Sequence, residues 1–192
     1  MKTGLGTVLV LGGAACVWSD LDSLERMIGG PWPGVVIVVN DMGYQPGHNG
    51  RVWDRPVHHW ATLHAEKLVG WKTKRVQAGL PSGFQTWSSV RRTVVDYHFT
   101  GWTNGSSGLY GVSVGLLALR HPRAVTCGIP MDSQLNTFSK REWASHLRYR
   151  KGWEQQLPIL KRRVRSLSGW TSGKLGAPTF DWIGLVPPAI QG

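Results

Sequence analysis

Short apolar blocks separated by glycine- and proline-rich breaks set the rhythm of this chain, and their lengths predict strands and helices in alternation. Residues 7–11 (TVLVL) form the first block and run into Gly12-Gly13-Ala14-Ala15, after which Leu21, Leu24, Met27 and Ile28 recur at helical spacing across residues 20–28. This β-loop-α opening has a small-residue loop that lets a ligand approach the backbone, but it lacks the GxGxxG spacing of a dinucleotide fingerprint. After the break at residues 29–34, residues 35–39 (VVIVV) predict a second buried strand that ends at Asn40 and Asp41, either as turn caps or as ligand contacts. A polar loop over residues 45–56 precedes a third strand at residues 57–64, a basic helix at 66–75, a long loop or lid at 76–93 and a further strand at 94–99.

The centre of the pattern is residues 104–132, read as a turn, a helix and a buried strand in succession. Asn104-Gly105-Ser106-Ser107-Gly108 places backbone N–H groups and hydroxyls at a helix mouth, with Ser106 or Ser107 as the cap, where a phosphate or other anion is received. Small residues at Gly111, Ser113, Gly115 and Ala118 among apolar ones suit a helix pressed closely on a sheet, and His121-Pro122 stops it. Residues 124–129 then read as a buried parallel strand whose exit, running to Asp132, lies at the carboxyl edge where open α/β sheets bind ligands. The plainer alternative is a core helix and strand with a capping serine that binds nothing.

Residues 139–166 predict a long helical region opened by the capping box Ser139…Glu142, with a kink or restart at Pro158. Trp143, Leu147, Trp153, Leu157, Leu160 and Val164 form its apolar face; Arg148, Arg150, Lys151, Lys161, Arg162, Arg163 and Arg165 make the other side basic, as a solvated or a phosphate-binding face. Residues 169–192 are expected to wrap over the domain. The whole, residues 1–192, reads as one α/β domain: a nucleotide-binding core at 7–132 with a mainly parallel sheet flanked by helices, then a basic helical C-terminal region.

Composition narrows the partners. A net charge of +11 favours an anionic one, whether nucleotide, nucleic acid or acidic surface, and the 11 tryptophans offer packing surface or stacking platforms. Two cysteines give no disulfide framework and fit a reducing, cytoplasmic compartment. The first 16 residues have the outline of a secretory signal but carry one basic residue and several glycines, and cleavage would remove the best first strand. No apolar run is long enough for a transmembrane span. His58, His59 and His64 lack the cysteine or HExxH context of a metal site, so no metal ligand is assigned.

In order, TVLVLGGAA, VVIVVND, ATLHAEK, GSSGLYGVSVGLLAL and VTCGIPMD resemble the small Rossmann-like glycosyltransferases of the bacterial sialyltransferase type and related motility-associated glycosyltransferase-like proteins, over about residues 7–132. In that family a second strand ends in asparagine and a Thr-Ser-Gly helix start precedes a strand ending in Gly-Ile-Asp. The resemblance implies that Asn40 stands near a donor nucleotide, that Ser107-Gly108 forms the helix mouth, and that a histidine downstream, in the order of His146, is the general base. Gly12-Gly13-Ala14-Ala15-Cys16 departs from the family's Gly-Asn-Gly-Pro-Ser loop, and no motif identifies the family's phosphate-stabilising tyrosines. The expected ligand is a nucleotide or nucleotide sugar with no certain further cofactor, bound by Gly12, Gly13, Asn40, Asp41, Asn104, Ser106, Ser107, Gly108 and Asp132. His146 or His64 is the expected base, because imidazole titrates near neutral pH. Two other functions fit the same residues: a non-catalytic nucleotide-binding or sequestering protein, of the kind the arrangement resembles among phage-encoded proteins, and a nucleic-acid binder using residues 140–165 and exposed tryptophans. An oligomer is compatible with each.

Overall fold

The computed structural model describes residues 6–44, 53, 55–133 and 144–184, and the structural statements below concern those residues. Strands β1 (Thr7–Leu11), β2 (Val36–Val39), β3 (His59–Thr62), β4 (Gln85–Ser88), β5 (Tyr97–His98), β6 (Arg123–Cys127) and β7 (Val164–Ser166) form one parallel sheet in the order β5-β4-β3-β2-β1-β6-β7. The apolar blocks at residues 7–11, 35–39 and 124–129 supply its three adjacent interior strands, β1, β2 and β6, the last ending at Cys127, as their two-sided apolar character requires.

Alternation along β1 divides the core. Val8 and Val10 pack on the face covered by α3 (Ser107–Ser113), while Leu9 and Leu11 pack with α1 (Val17–Ile28) on the other. On the first face α4 (His146–Arg163) adds Trp153 and Leu160, and α5 (Gly169–Leu175) adds Leu175. On the second, α2 (Leu68–Gln77) adds Leu68 and α6 (Phe180–Ile183) adds Ile183. The small residues of α3 and the π-helical turn that continues it (Val114–Ala118) let this helix sit on the strands: a Cβ on Gly111 would lie 2.7 Å from Val39 Cγ2, and one on Gly115 2.8 Å from Val8 Cγ1. Arg163 accounts for the end of this helix, donating to the carbonyls of Leu116, His121 and Pro122.

Four expectations are corrected. The proposed loop at residues 76–93 contains β4, whose buried residues Thr86 and Ser88 are polar; Asp96 accepts from both the N–H (2.8 Å) and the hydroxyl (2.7 Å) of Thr86. The helical region does not reach Ser166, because residues 164–166 turn extended and pair with β6 as an edge strand. Helix α4 runs on through Pro158 without a restart, and Leu147 is 60% exposed rather than on the buried face. Residues 139–143, with the capping box and Trp143, lie outside the described residues.

Two of the grouped histidines serve the sheet. His58 Nδ1 accepts from Val36 N–H at 3.2 Å, and His59 Nδ1 accepts from Trp87 Nε1–H at 3.1 Å. Burial, then the proximity of His58 and His121, lowers the pKa of His59 from 6.5 to about 4. Across that window the folded chain binds fewer protons at this ring than the unfolded chain, so the stability it contributes is present above pH 6.5 and lost as pH falls towards 4. His59→Asn keeps an acceptor for Trp87 but cannot titrate. Denaturation between pH 7 and 4 should therefore show a shallower loss of stability in the variant, and parallel profiles would exclude this origin.

Candidate functional site

The carboxyl ends of β1, β2, β3 and β6 face the mouth of α3 across a cleft of about 520 Å³. Gly12, Gly13 and Ala14 continue β1, Asn40 and Asp41 continue β2, Leu63 and His64 continue β3, and residues 128–132 continue β6. Thr103, Gly105, Ser106, Ser107 and Gly108 close the far wall. Parallel strands point their exits to one edge, so residues more than 100 positions apart in sequence meet there.

Ser106 is the cap of α3. Its Oγ accepts from Leu109 N–H at 3.4 Å and Trp153 Nε1–H at 3.3 Å, and donates to Met131 Sδ at 3.4 Å. The hydroxyl is thereby committed to structure, and Ser107, Gly108 and the first N–H groups of the helix are what the mouth offers a ligand. Asn40 adopts a left-handed backbone (φ 52°), and its Oδ1 accepts from Thr62 Oγ1 at 2.8 Å while its carbonyl accepts from Trp60 Nε1–H at 2.7 Å. The first bond holds the side-chain amide in one orientation at the cleft, and the second fixes the backbone beneath it. Burial raises the pKa of the neighbouring Asp41 carboxyl. His64 is half-exposed and sets Nδ1 3.4 Å from Glu66 Oε1, an arrangement in which the carboxylate orients the ring.

The floor is braced from below. Buried Asp20 accepts through Oδ2 from Gly128 N–H and from Ser168 Oγ–H, both at 2.8 Å. Burial pushes the Asp20 carboxyl above the usual range, and burial together with the Asp20 charge pushes Cys16 up to about 12, so this thiol is not a nucleophile at neutral pH. Thr171 Oγ1 donates to Ile129 O at 2.6 Å, and Thr171 N–H donates to Pro130 O at 3.2 Å. Gly12 and Gly128 pass so closely that a Cβ on either would stand 2.5 Å from the other's carbonyl oxygen. Gly12 thus owes its identity to this crossing at least as much as to a ligand.

Of the residues expected at the site, Gly12, Gly13, Asn40, Asp41, His64, Ser106, Ser107, Gly108 and Asp132 line the cleft together. Asn104 does not: its side chain donates to Gln155, and its carbonyl backs onto Gly152 of α4. His146 is not on the wall either, but it opens α4 one turn before Tyr149, which is. Sequence reasoning missed Tyr149. The available signal was its spacing from His146 and Trp153, which puts all three along one side of the helix.

The lining contains no lysine or arginine among the described residues, although the chain carries +11. Three of the basic residues at 148–165 are engaged in structure: Arg150 donates to Met131 O and stacks on Trp170, Arg163 caps the π turn, and Arg165 donates to Lys161 O and stacks on Trp182. The exposed tryptophans expected of a nucleic-acid binder are not found, since every described tryptophan is buried or partly buried. Among the described residues no three His, Cys, Asp or Glu side chains stand together as metal ligands, and no helix is long and apolar enough to cross a membrane.

No protein-family model matches this chain, and no curated protein sequence matches it. Solved structures do match. The sialyltransferase CstII from Campylobacter jejuni, in complex with cytidine-5'-monophosphate, superposes with a TM-score of 0.56 at 12% identity, over 94% of this chain and 88% of that one. The alpha-2,3-sialyltransferase from Campylobacter jejuni in apo form gives 0.56 at 10% identity over 97% and 84%, and CstII with CMP-3FNeuAc gives 0.53 at 12% over 91% and 88%. The likeness is one of fold, and it spans nearly the whole chain.

Proposed function

We propose that this chain binds a nucleotide sugar in the cleft and transfers the sugar to an acceptor hydroxyl. The observation that carries this is the convergence of the α3 mouth, the oriented Asn40 and four strand exits on one cleft. The α3 N–H groups and Ser107 receive phosphate through hydrogen bonds and the helix dipole, with no cationic side chain on the described wall. As the bond from the anomeric carbon to phosphate oxygen breaks, that oxygen keeps the electron pair, stabilised at the helix mouth and by the nearby Tyr149 phenol. The acceptor oxygen attacks the anomeric carbon, and His64, with Glu66 behind Nδ1, takes the acceptor's proton through Nε2.

Because the neighbouring structures hold cytidine nucleotides, CMP and a CMP-sugar are the first probes, with adenine, guanine and uracil nucleotides beside them. At ~100-fold excess over Kd, a ligand specific for the folded state adds about 2.7 kcal/mol of stability, readable as a thermal shift. Absence of any shift across the nucleotide series would overturn the assignment. In calorimetric titration, Ser107→Glu should weaken the best ligand by about tenfold or more while the fold persists, since a carboxylate at the helix mouth repels phosphate. Unchanged affinity would move the phosphate elsewhere.

The departure of the Gly12-to-Cys16 loop from the sialyltransferase pattern favours one second reading, a nucleotide-sequestering protein that keeps the pocket without transfer. Tight binding with neither hydrolysis nor transfer of any donor would select it.

A further inference from the structure

The outer side of α4 is unoccupied by the rest of the described fold, and its composition is unusual for a merely solvated face. Leu147 (60% exposed) and Ile159 (44%) stand out with Arg148, Lys151, Lys161 and Arg162, opposed by one acid, Glu154. At about 100° per residue these positions fall within an arc of roughly 160°, along a helix about 27 Å long. The opposite arc holds Trp153 and Leu160 in the core. The four cations are outside the set engaged in capping and stacking, so they are not needed to hold the helix in place.

We infer that this face of α4 docks on an anionic lipid bilayer. Cations interleaved with isolated aliphatic side chains match a headgroup layer, where the charges meet lipid phosphates and the aliphatic groups enter the acyl boundary. Nucleic acid fits less well: it offers no environment for Leu147 and Ile159, and no described tryptophan is exposed to stack on a base. The net charge of +11 draws the whole chain to the same surface. Helix α4 begins at the rim of the cleft, so a bilayer against its outer side lies beside the site and would present membrane-borne acceptors to it. Docking itself does not depend on what the cleft binds.

The test is co-sedimentation of the full chain with vesicles. Binding is expected to vesicles of phosphatidylcholine mixed with phosphatidylglycerol, to fall steeply with salt, and to be absent with phosphatidylcholine alone. Lys151→Glu with Arg162→Glu should weaken it at least about tenfold. Leu147→Ser with Ile159→Ser should weaken it while leaving the salt dependence. All four positions are exposed and outside the cleft, so circular dichroism melts and nucleotide titrations should match the wild type and separate this outcome from failure of the cleft assignment. Equal binding to neutral vesicles, no binding to anionic ones, wild-type binding by the charge-reversed variant, or tighter binding to duplex DNA than to vesicles would each overturn the inference.

Discussion

Replacing Trp153 with alanine is expected to cost about 3–5 kcal/mol of folding stability, the range for deleting a large buried aromatic side chain. Trp153 is fully buried among β-sheet and α3 residues, and its indole N–H also donates to Ser106 Oγ at 3.3 Å. The loss is therefore twofold: a cavity between α4 and the sheet, and a missing donor to the Ser106 hydroxyl that caps α3. Trp153→Phe keeps most of the apolar contact while removing the donor and leaving a smaller void, so it should cost about 1–2 kcal/mol. Urea denaturation with linear extrapolation measures both. A cost below about 1 kcal/mol for the alanine variant would show that α4 is not anchored there.

The second large effect tests the sugar transfer proposed above. His64→Ala is expected to lower turnover by about 10²–10⁴-fold while leaving donor affinity nearly unchanged, because a general base acts on the acceptor's proton in the transition state. Glu66→Gln should reduce turnover less, since it leaves the imidazole in place and removes only the carboxylate 3.4 Å from Nδ1. His146→Ala is the comparison. His146 opens the helix that brings Tyr149 to the wall but is not itself on it, so a small effect is expected. A large loss in His146→Ala with none in His64→Ala would transfer the role to the α4 histidine, in the chain order of the sialyltransferases.

The central strands were legible because burial on both faces leaves an unbroken apolar run, as in TVLVL and VVIVV, which competing structures rarely demand. The outer strands were not. In β4 the buried positions Thr86 and Ser88 look like loop residues in sequence, and Asp96, ten residues on, supplies the Thr86 hydrogen bonds that make their burial tolerable. β7 was hidden by a helical pattern that continues through Arg163 and changes conformation only where β6 offers a free edge. At the site, strand exits and helix mouth followed from topology, whereas the division of labour between the serines did not. Nothing in SSG says that Trp153, 47 positions downstream of Ser106, takes the first hydroxyl. Tyr149 was missed because its access to the cleft depends on how α4 crosses the sheet, a tertiary fact. Asn104 stands beside the helix mouth in sequence, but its side chain turns toward α4, a direction that the sequence does not encode locally.

The braces beneath the cleft also bear on the order in which the molecule acquires its parts. Asp20 meets Gly128 across 108 positions and Ser168 across 148, while Thr171 holds Ile129 from 42 positions downstream. Contacts of such sequence separation pay a large loop-closure entropy and tend to form late. On a ribosome the sheet's five strands from β5 through β1 have all emerged before Ser168 is synthesised, whereas two of the three fasteners of the β6 exit, Ser168 and Thr171, are added only then. A nascent chain halted before residue 168 would carry most of the sheet with a floor pinned through Asp20 alone, so the complete cleft arrives with the last quarter of translation and marks a chain whose distant segments have already met.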